Sequence, residues 1–91
     1  MSPPTKTLLV DPDVVARKLD DETVLVQMRT NRIFTLNATG TRIWELIESG
    51  CDEGSLVDRL RAEFDASEAK LREEVETLLD SLRAEGLITN A

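Results

Sequence analysis

Between Arg29 and Gly40 the chain reads Arg-Thr-Asn-Arg-Ile-Phe-Thr-Leu-Asn-Ala-Thr-Gly, and this stretch leaves few ways to fold. Residues 32 to 37 are rich in β-branched and aromatic types and contain no proline, so they form a strand free to pair. Asn37 then stands where a helix N-cap belongs, just ahead of Ala38 and the apolar positions Ile43, Trp44 and Ile47. A strand must therefore end and a helix begin within one residue. No acid occurs from Thr23 to Trp44, while Arg29, Arg32 and Arg42 do, which makes a local positive island in a chain of net charge −7.

Upstream lie two more strand candidates. Residues 14 to 19 (Val-Val-Ala-Arg-Lys-Leu) are followed by the polar turn Asp20-Asp21-Glu22. Residues 23 to 28 (Thr-Val-Leu-Val-Gln-Met) are near-continuously apolar, as in a central strand or one covered on both faces. Arg29 to Asn31 turn the chain into the third strand, with Asn31 suited to a left-handed conformation. Alternation puts Phe34 and Leu36 on the core face of that strand, and Ile33 and Thr35 on the other.

Downstream the period changes to that of helices. The first spans about 38 to 49, with Ile43, Trp44, Leu46 and Ile47 buried and Gly50 as its stop. The second spans about 53 to 64, with Leu56, Val57, Leu60 and Phe64 on one face. The third spans about 67 to 85, capped by Ser67 and ended by Gly86, with a stripe of Leu71, Val75, Leu78, Leu79 and Leu82. Leu87 and Ile88 fold back as a short apolar tail. Three strands followed by three helices give an α+β fold, a three-stranded antiparallel sheet covered by helices, like a winged helix-turn-helix. Residues 1 to 11, with Pro3 and Pro4, read as a flexible N-terminal tail, and 12 to 91 as one domain.

Composition excludes several kinds of chemistry. The chain has no histidine and one cysteine, Cys51, so neither His-based nucleophile pairs nor Cys/His zinc sites can be built, and no disulfide framework exists. No metal or other cofactor is expected. The acidic balance argues against general nucleic-acid affinity, and no run is apolar and long enough to span a membrane. A reducing, cytoplasmic setting suits the single thiol. The charge run Glu73, Glu74 and Glu76 reads as a solvated helix face.

The segments Thr23-Val24-Leu25-Val26 and Arg32-Ile33-Phe34-Thr35-Leu36-Asn37-Ala38-Thr39-Gly40-Thr41-Arg42-Ile43-Trp44-Glu45-Leu46 resemble the PqqD family, and 78 to 88 resemble its closing "LxxLxxxGL" stretch. The lead-in Met28-Arg29-Thr30-Asn31-Arg32 departs from the pyrroloquinoline quinone branch and is more similar to stand-alone recognition elements of lasso-peptide pathways. The resemblance implies a RiPP precursor peptide recognition element, a non-catalytic peptide chaperone. A precursor's leader peptide then adds as an antiparallel strand to the third strand, lies in the groove against the third helix, and is delivered to a leader peptidase or another modifying enzyme.

On this reading the residues that meet the leader are Arg29, Arg32, Ile33, Phe34, Thr35 and Leu36 along the strand. Val75 and Leu79 form the helix wall, and Arg72, Glu76 and Arg83 its polar rim. The arginine island suits acidic leader side chains. An open edge also admits a second copy, so a monomer or weak homodimer is expected. The competing reading is a winged-helix DNA-binding regulator, against which stands the net negative third helix.

Overall fold

The structure, a computed structural model, describes residues 8 to 90. Three antiparallel strands form the main sheet in the order β2 (Val14–Leu19), β3 (Glu22–Gln27) and β4 (Arg32–Leu36). They are the three strands read from the sequence, and the near-continuously apolar one is central. Three helices follow: α1 (Ala38–Glu48), α2 (Glu53–Glu63) and α3 (Glu68–Ala84). The α+β layout is as expected.

One further element appears. β1 (Leu8–Val10) pairs antiparallel with β5 (Ile88–Asn90) in a separate two-stranded sheet. The flexible tail expected over residues 1 to 11 is therefore corrected at its end: Leu8 is 3 % exposed and belongs to the core. The earlier part of that tail lies outside the described residues. The apolar tail at Leu87 and Ile88 does fold back, and both residues are buried.

Local chemistry accounts for the boundaries. The Asn37 side chain accepts a 2.8 Å hydrogen bond from the Gly40 N–H, so strand β4 gives way to helix α1 at one residue. Asp52 and Ser67 cap α2 and α3 in the same way. Asn31 holds the left-handed φ expected of it, 59°. Asp20, at φ 55°, does the same in the β2–β3 turn, as a two-residue hairpin requires.

The inner face of β3 carries the packing. Thr23, Leu25 and Gln27 are buried, whereas Val24 and Val26 on the other face are half-buried. Helices cover only the inner face, so centrality rather than double cover explains the apolar run of this strand. Leu25 and Leu36 meet Ile43, Trp44 and Ile47 of α1, Leu56 and Leu60 of α2, and Leu71, Val75, Leu79 and Leu82 of α3 in one continuous core.

Two polar ties cross from the inner face to the helices. The Thr23 hydroxyl donates to the Thr41 hydroxyl of α1 at 2.9 Å, and the Gln27 side-chain amide donates to the Gly86 carbonyl just after α3 at 2.9 Å. The Gln27 side-chain oxygen also accepts from the Arg29 N–H, so this fully buried amide is bonded at both ends.

Leu79 is fully buried, so Leu79→Ala should destabilise the fold by about 3 kcal/mol in urea unfolding, while Arg72→Ala on the exposed side should change it by less than about 0.5 kcal/mol. A cost below about 1 kcal/mol for Leu79→Ala would place that side chain outside the core.

Candidate functional site

The main sheet has two edges, and they differ. Met28, which continues β3, donates its N–H to the Asp13 carbonyl of the chain entering β2 at 2.9 Å. Bonding alternates along an antiparallel pair, so Val26 and Val24 also turn their main-chain groups toward β2. Leu25 and Gln27 then turn theirs toward Phe34 and Arg32, their partners on β4. Ile33 and Thr35 are left with N–H and C=O groups directed at the open edge of β4. The β2 edge carries Arg17 and Lys18, charges of the kind that block pairing. The β4 edge carries none between Ile33 and Leu36.

Beside the open edge lies a groove of about 590 Å³. One wall is β4, through Phe34, Thr35 and Leu36, and the start of α1 closes the floor through Thr39, Gly40 and Ile43. The other wall is α3, through Glu73, Glu74, Thr77, Leu78 and Ser81. Phe34 and Leu78 are half-buried and give the groove an apolar lining. Gly40 sits so close to β4 that a Cβ there would lie 3.3 Å from the Leu36 Cβ, which is why the helix begins with a residue of poor helical propensity.

The residues expected at the site divide into three groups. Phe34, Thr35 and Leu36 line the groove, and Ile33, 67 % exposed, holds the edge beside them. Val75 and Leu79 are in the core at 3 % and 0 % exposure, so they do not form an accessible wall. Arg72, Glu76 and Arg83 are absent from the groove lining. Arg72 pairs with Glu68 at 3.1 Å, and Arg83 with Glu53 at 2.6 Å. The wall is the expected helix seen from the opposite flank of its apolar stripe. Leu78 is the sequence signal for that flank, because it is the stripe residue that sits to one side of Val75 and Leu79.

The arginine island is partnered within the chain. Arg29 pairs with Asp11 and Asp13 at 3.2 and 2.9 Å. Arg32 pairs with Glu85 at 3.0 Å and so joins β4 to the end of α3. Arg42 pairs with Glu63 at 2.7 Å and with Glu45 at 3.3 Å. Each of these arginines meets an acid of the chain itself.

Against this geometry the chain can be compared with known proteins. It is a small α+β domain with one unblocked sheet edge above a groove that holds Phe34 and Leu78. The chain belongs to the PqqD family: the model of coenzyme PQQ synthesis protein D matches residues 22–88. A solved structure described as TbiB1 in complex with the TbiA(beta) leader peptide is 32 % identical, with a TM-score of 0.81 over 87 % of this chain and 92 % of that one. A second, lasso peptide synthetase B1 complexed with the leader peptide, is 19 % identical and shares the fold, with a TM-score of 0.81 over 91 % of this chain and 98 % of that one. No curated protein matches the chain. Among the described residues no helix is long and apolar enough to cross a membrane.

Hydrogen bonds from Lys18 and then Arg42 hold the Glu45 carboxyl below its ordinary value of 4.5, and Arg42 does the same for Glu63. The Asp13 N–H and then Arg29 lower Asp11. Depressed carboxylates contribute stability above their ordinary values and lose it as pH falls through the folded ones. The melting temperature should therefore be flat between about pH 6 and 8, with no histidine to titrate, and fall below about pH 4.5. Differential scanning fluorimetry checks this; a step between about pH 6 and 7 would contradict it.

Proposed function

We propose that this protein binds the leader segment of a ribosomally synthesised precursor peptide and delivers it to a maturation enzyme such as a leader peptidase. The leader adds as a strand to β4. The N–H and C=O groups of Ile33 and Thr35 supply the main-chain bonds, and alternate leader side chains enter the groove between Phe34 and Leu78. The observation that carries the reading is the open β4 edge, uncharged from Ile33 to Leu36, set above a groove with Phe34 and Leu78 in its walls. The leader-bound TbiB1 structure, similar over most of both chains, supports it.

The protein has no chemistry of its own in this account. The chain lacks histidine, and burial pushes the Cys51 thiol up, away from the reactive thiolate. It acts in the cytosol. A duplex-reading role fits less well. Glu68, Glu73, Glu74, Glu76 and Asp80, with Glu85 at the C-cap, outnumber Lys70, Arg72 and Arg83 along α3, and a phosphate backbone repels such a helix.

The test is a titration of a fluorescent TbiA(beta) leader peptide and of a mixed-sequence DNA duplex, against wild type and Thr35→Pro. The Thr35 N–H faces the open edge, so proline there removes a bond to the guest and spares the β3–β4 ladder. The leader should bind saturably, with Thr35→Pro weakening it at least about tenfold while the melting temperature stays within a few degrees. Phe34→Pro, which breaks the ladder with Leu25, should unfold the domain. Unchanged leader affinity in folded Thr35→Pro, or binding of the duplex alone, would overturn the proposal.

A further inference from the structure

The groove carries charge that the fold does not neutralise. Glu73 and Glu74 stand side by side on its helical wall, and Glu22, at the start of β3, lines the same groove. Among the described residues none of the three makes an ion pair. Lys70, one helical turn before Glu73 and Glu74, bridges neither. The arginines nearest β4 are committed elsewhere: Arg32 to Glu85, Arg29 to Asp11 and Asp13, and Arg42 to Glu63 and Glu45.

These acids occupy one end of the groove. The Arg32–Glu85 bridge places the end of α3 beside the start of β4. The helix therefore passes the strand in the opposite sense. Eleven residues before Glu85, at about 1.5 Å each, Glu74 lies roughly 16 Å back along the helix, at or beyond the Leu36 end of a strand roughly 13 Å long. Glu22 adjoins Thr23, the cross-strand partner of Leu36, and so falls at the same end. Asn37 and Thr39 complete it.

We infer that the groove selects a peptide with a lysine or arginine over Glu73 and Glu74, on the Leu36 side of the apolar side chain seated between Phe34 and Leu78. The inference rests on the strand-addition reading above and adds the sign and place of a charge to it. Same-face neighbours in a strand recur every second residue, about 6.6 Å apart, so the basic residue lies two or four positions from the apolar anchor. In an antiparallel guest, the more stable ladder, that is its N-terminal side. The long aliphatic stem of lysine or arginine lies along Leu36 and Leu78 while its head reaches the carboxylates.

The test is a charge scan. Each position of the TbiA(beta) leader peptide is replaced in turn by lysine, glutamine and glutamate, and binding is followed by fluorescence anisotropy at low salt and at high salt. The partners are wild type, Glu73→Gln/Glu74→Gln and Glu22→Gln. All three sites are exposed, so the variants fold. One or two neighbouring positions should prefer lysine over glutamate by about threefold to tenfold at low salt, with the preference fading at high salt. In Glu73→Gln/Glu74→Gln the preference should collapse while the glutamine peptides bind as before, and Glu74→Lys should invert it. A leader that binds with a flat scan, or a preference that survives Glu73→Gln/Glu74→Gln, overturns the charge inference and leaves strand addition standing. A leader and all its variants that fail to bind overturn both.

Discussion

The inner face of β3 sets the distance between the open edge and the helix that faces it. Leu25 fills the centre of the core, Thr23 ties the sheet to α1, and Gln27 ties it to the end of α3. The Gln27 amide is fully buried, and its bonds to the Gly86 carbonyl and from the Arg29 N–H leave neither of its polar ends unsatisfied. α3 is held to the sheet by the Gln27 tie just past its C-terminal end and by the core around Leu79. The groove is what remains between a fixed helix and a strand one position further out. Its lining is then decided by which residues of α3 flank the buried stripe.

An open edge is a hazard, and the two edges of this sheet meet it differently. β2 has Arg17 and Lys18 where a further strand would pair, and Lys18 is drawn to Glu45 of α1. β4 is only five residues long and carries no charge from Ile33 to Leu36. The asymmetry fits a domain that excludes strands on one side and accepts one on the other. Arg32 supports this by spending its charge on Glu85, which pins the strand start to the helix end and leaves the groove's electrostatics to Glu22, Glu73 and Glu74.

Much of this was legible in the sequence. The strand-to-helix switch at Asn37, the left-handed Asn31 and the three helical stripes all follow from local chemistry, which depends on neighbours in the chain. Phe34 and Leu36 could be placed on the groove side because strand alternation has only two faces. The helix wall could not be placed as well. A stripe of Leu71, Val75, Leu79 and Leu82 has a polar flank on either side, and hydrophobic periodicity does not say which one faces β4. Leu78 marks the correct flank, but in the sequence it reads as one more core leucine. The arginines' ion pairs were hidden for a related reason: their partners Asp11, Glu63 and Glu85 are far away in sequence, so a local island looked uncompensated. β1 was hidden because a three-residue strand ahead of Pro12 carries almost no periodicity.

In strand addition at β4, the main-chain groups of Ile33 and Thr35 are the ones a guest strand takes up. Residue-resolved amide hydrogen exchange, with and without saturating TbiA(beta) leader peptide, tests it most directly. The Ile33 and Thr35 amides should become at least about tenfold slower to exchange on binding, while Phe34, already bonded to Leu25, changes little. Saturated peptide binding with Ile33 and Thr35 exchanging as in the free protein would contradict strand addition at this edge.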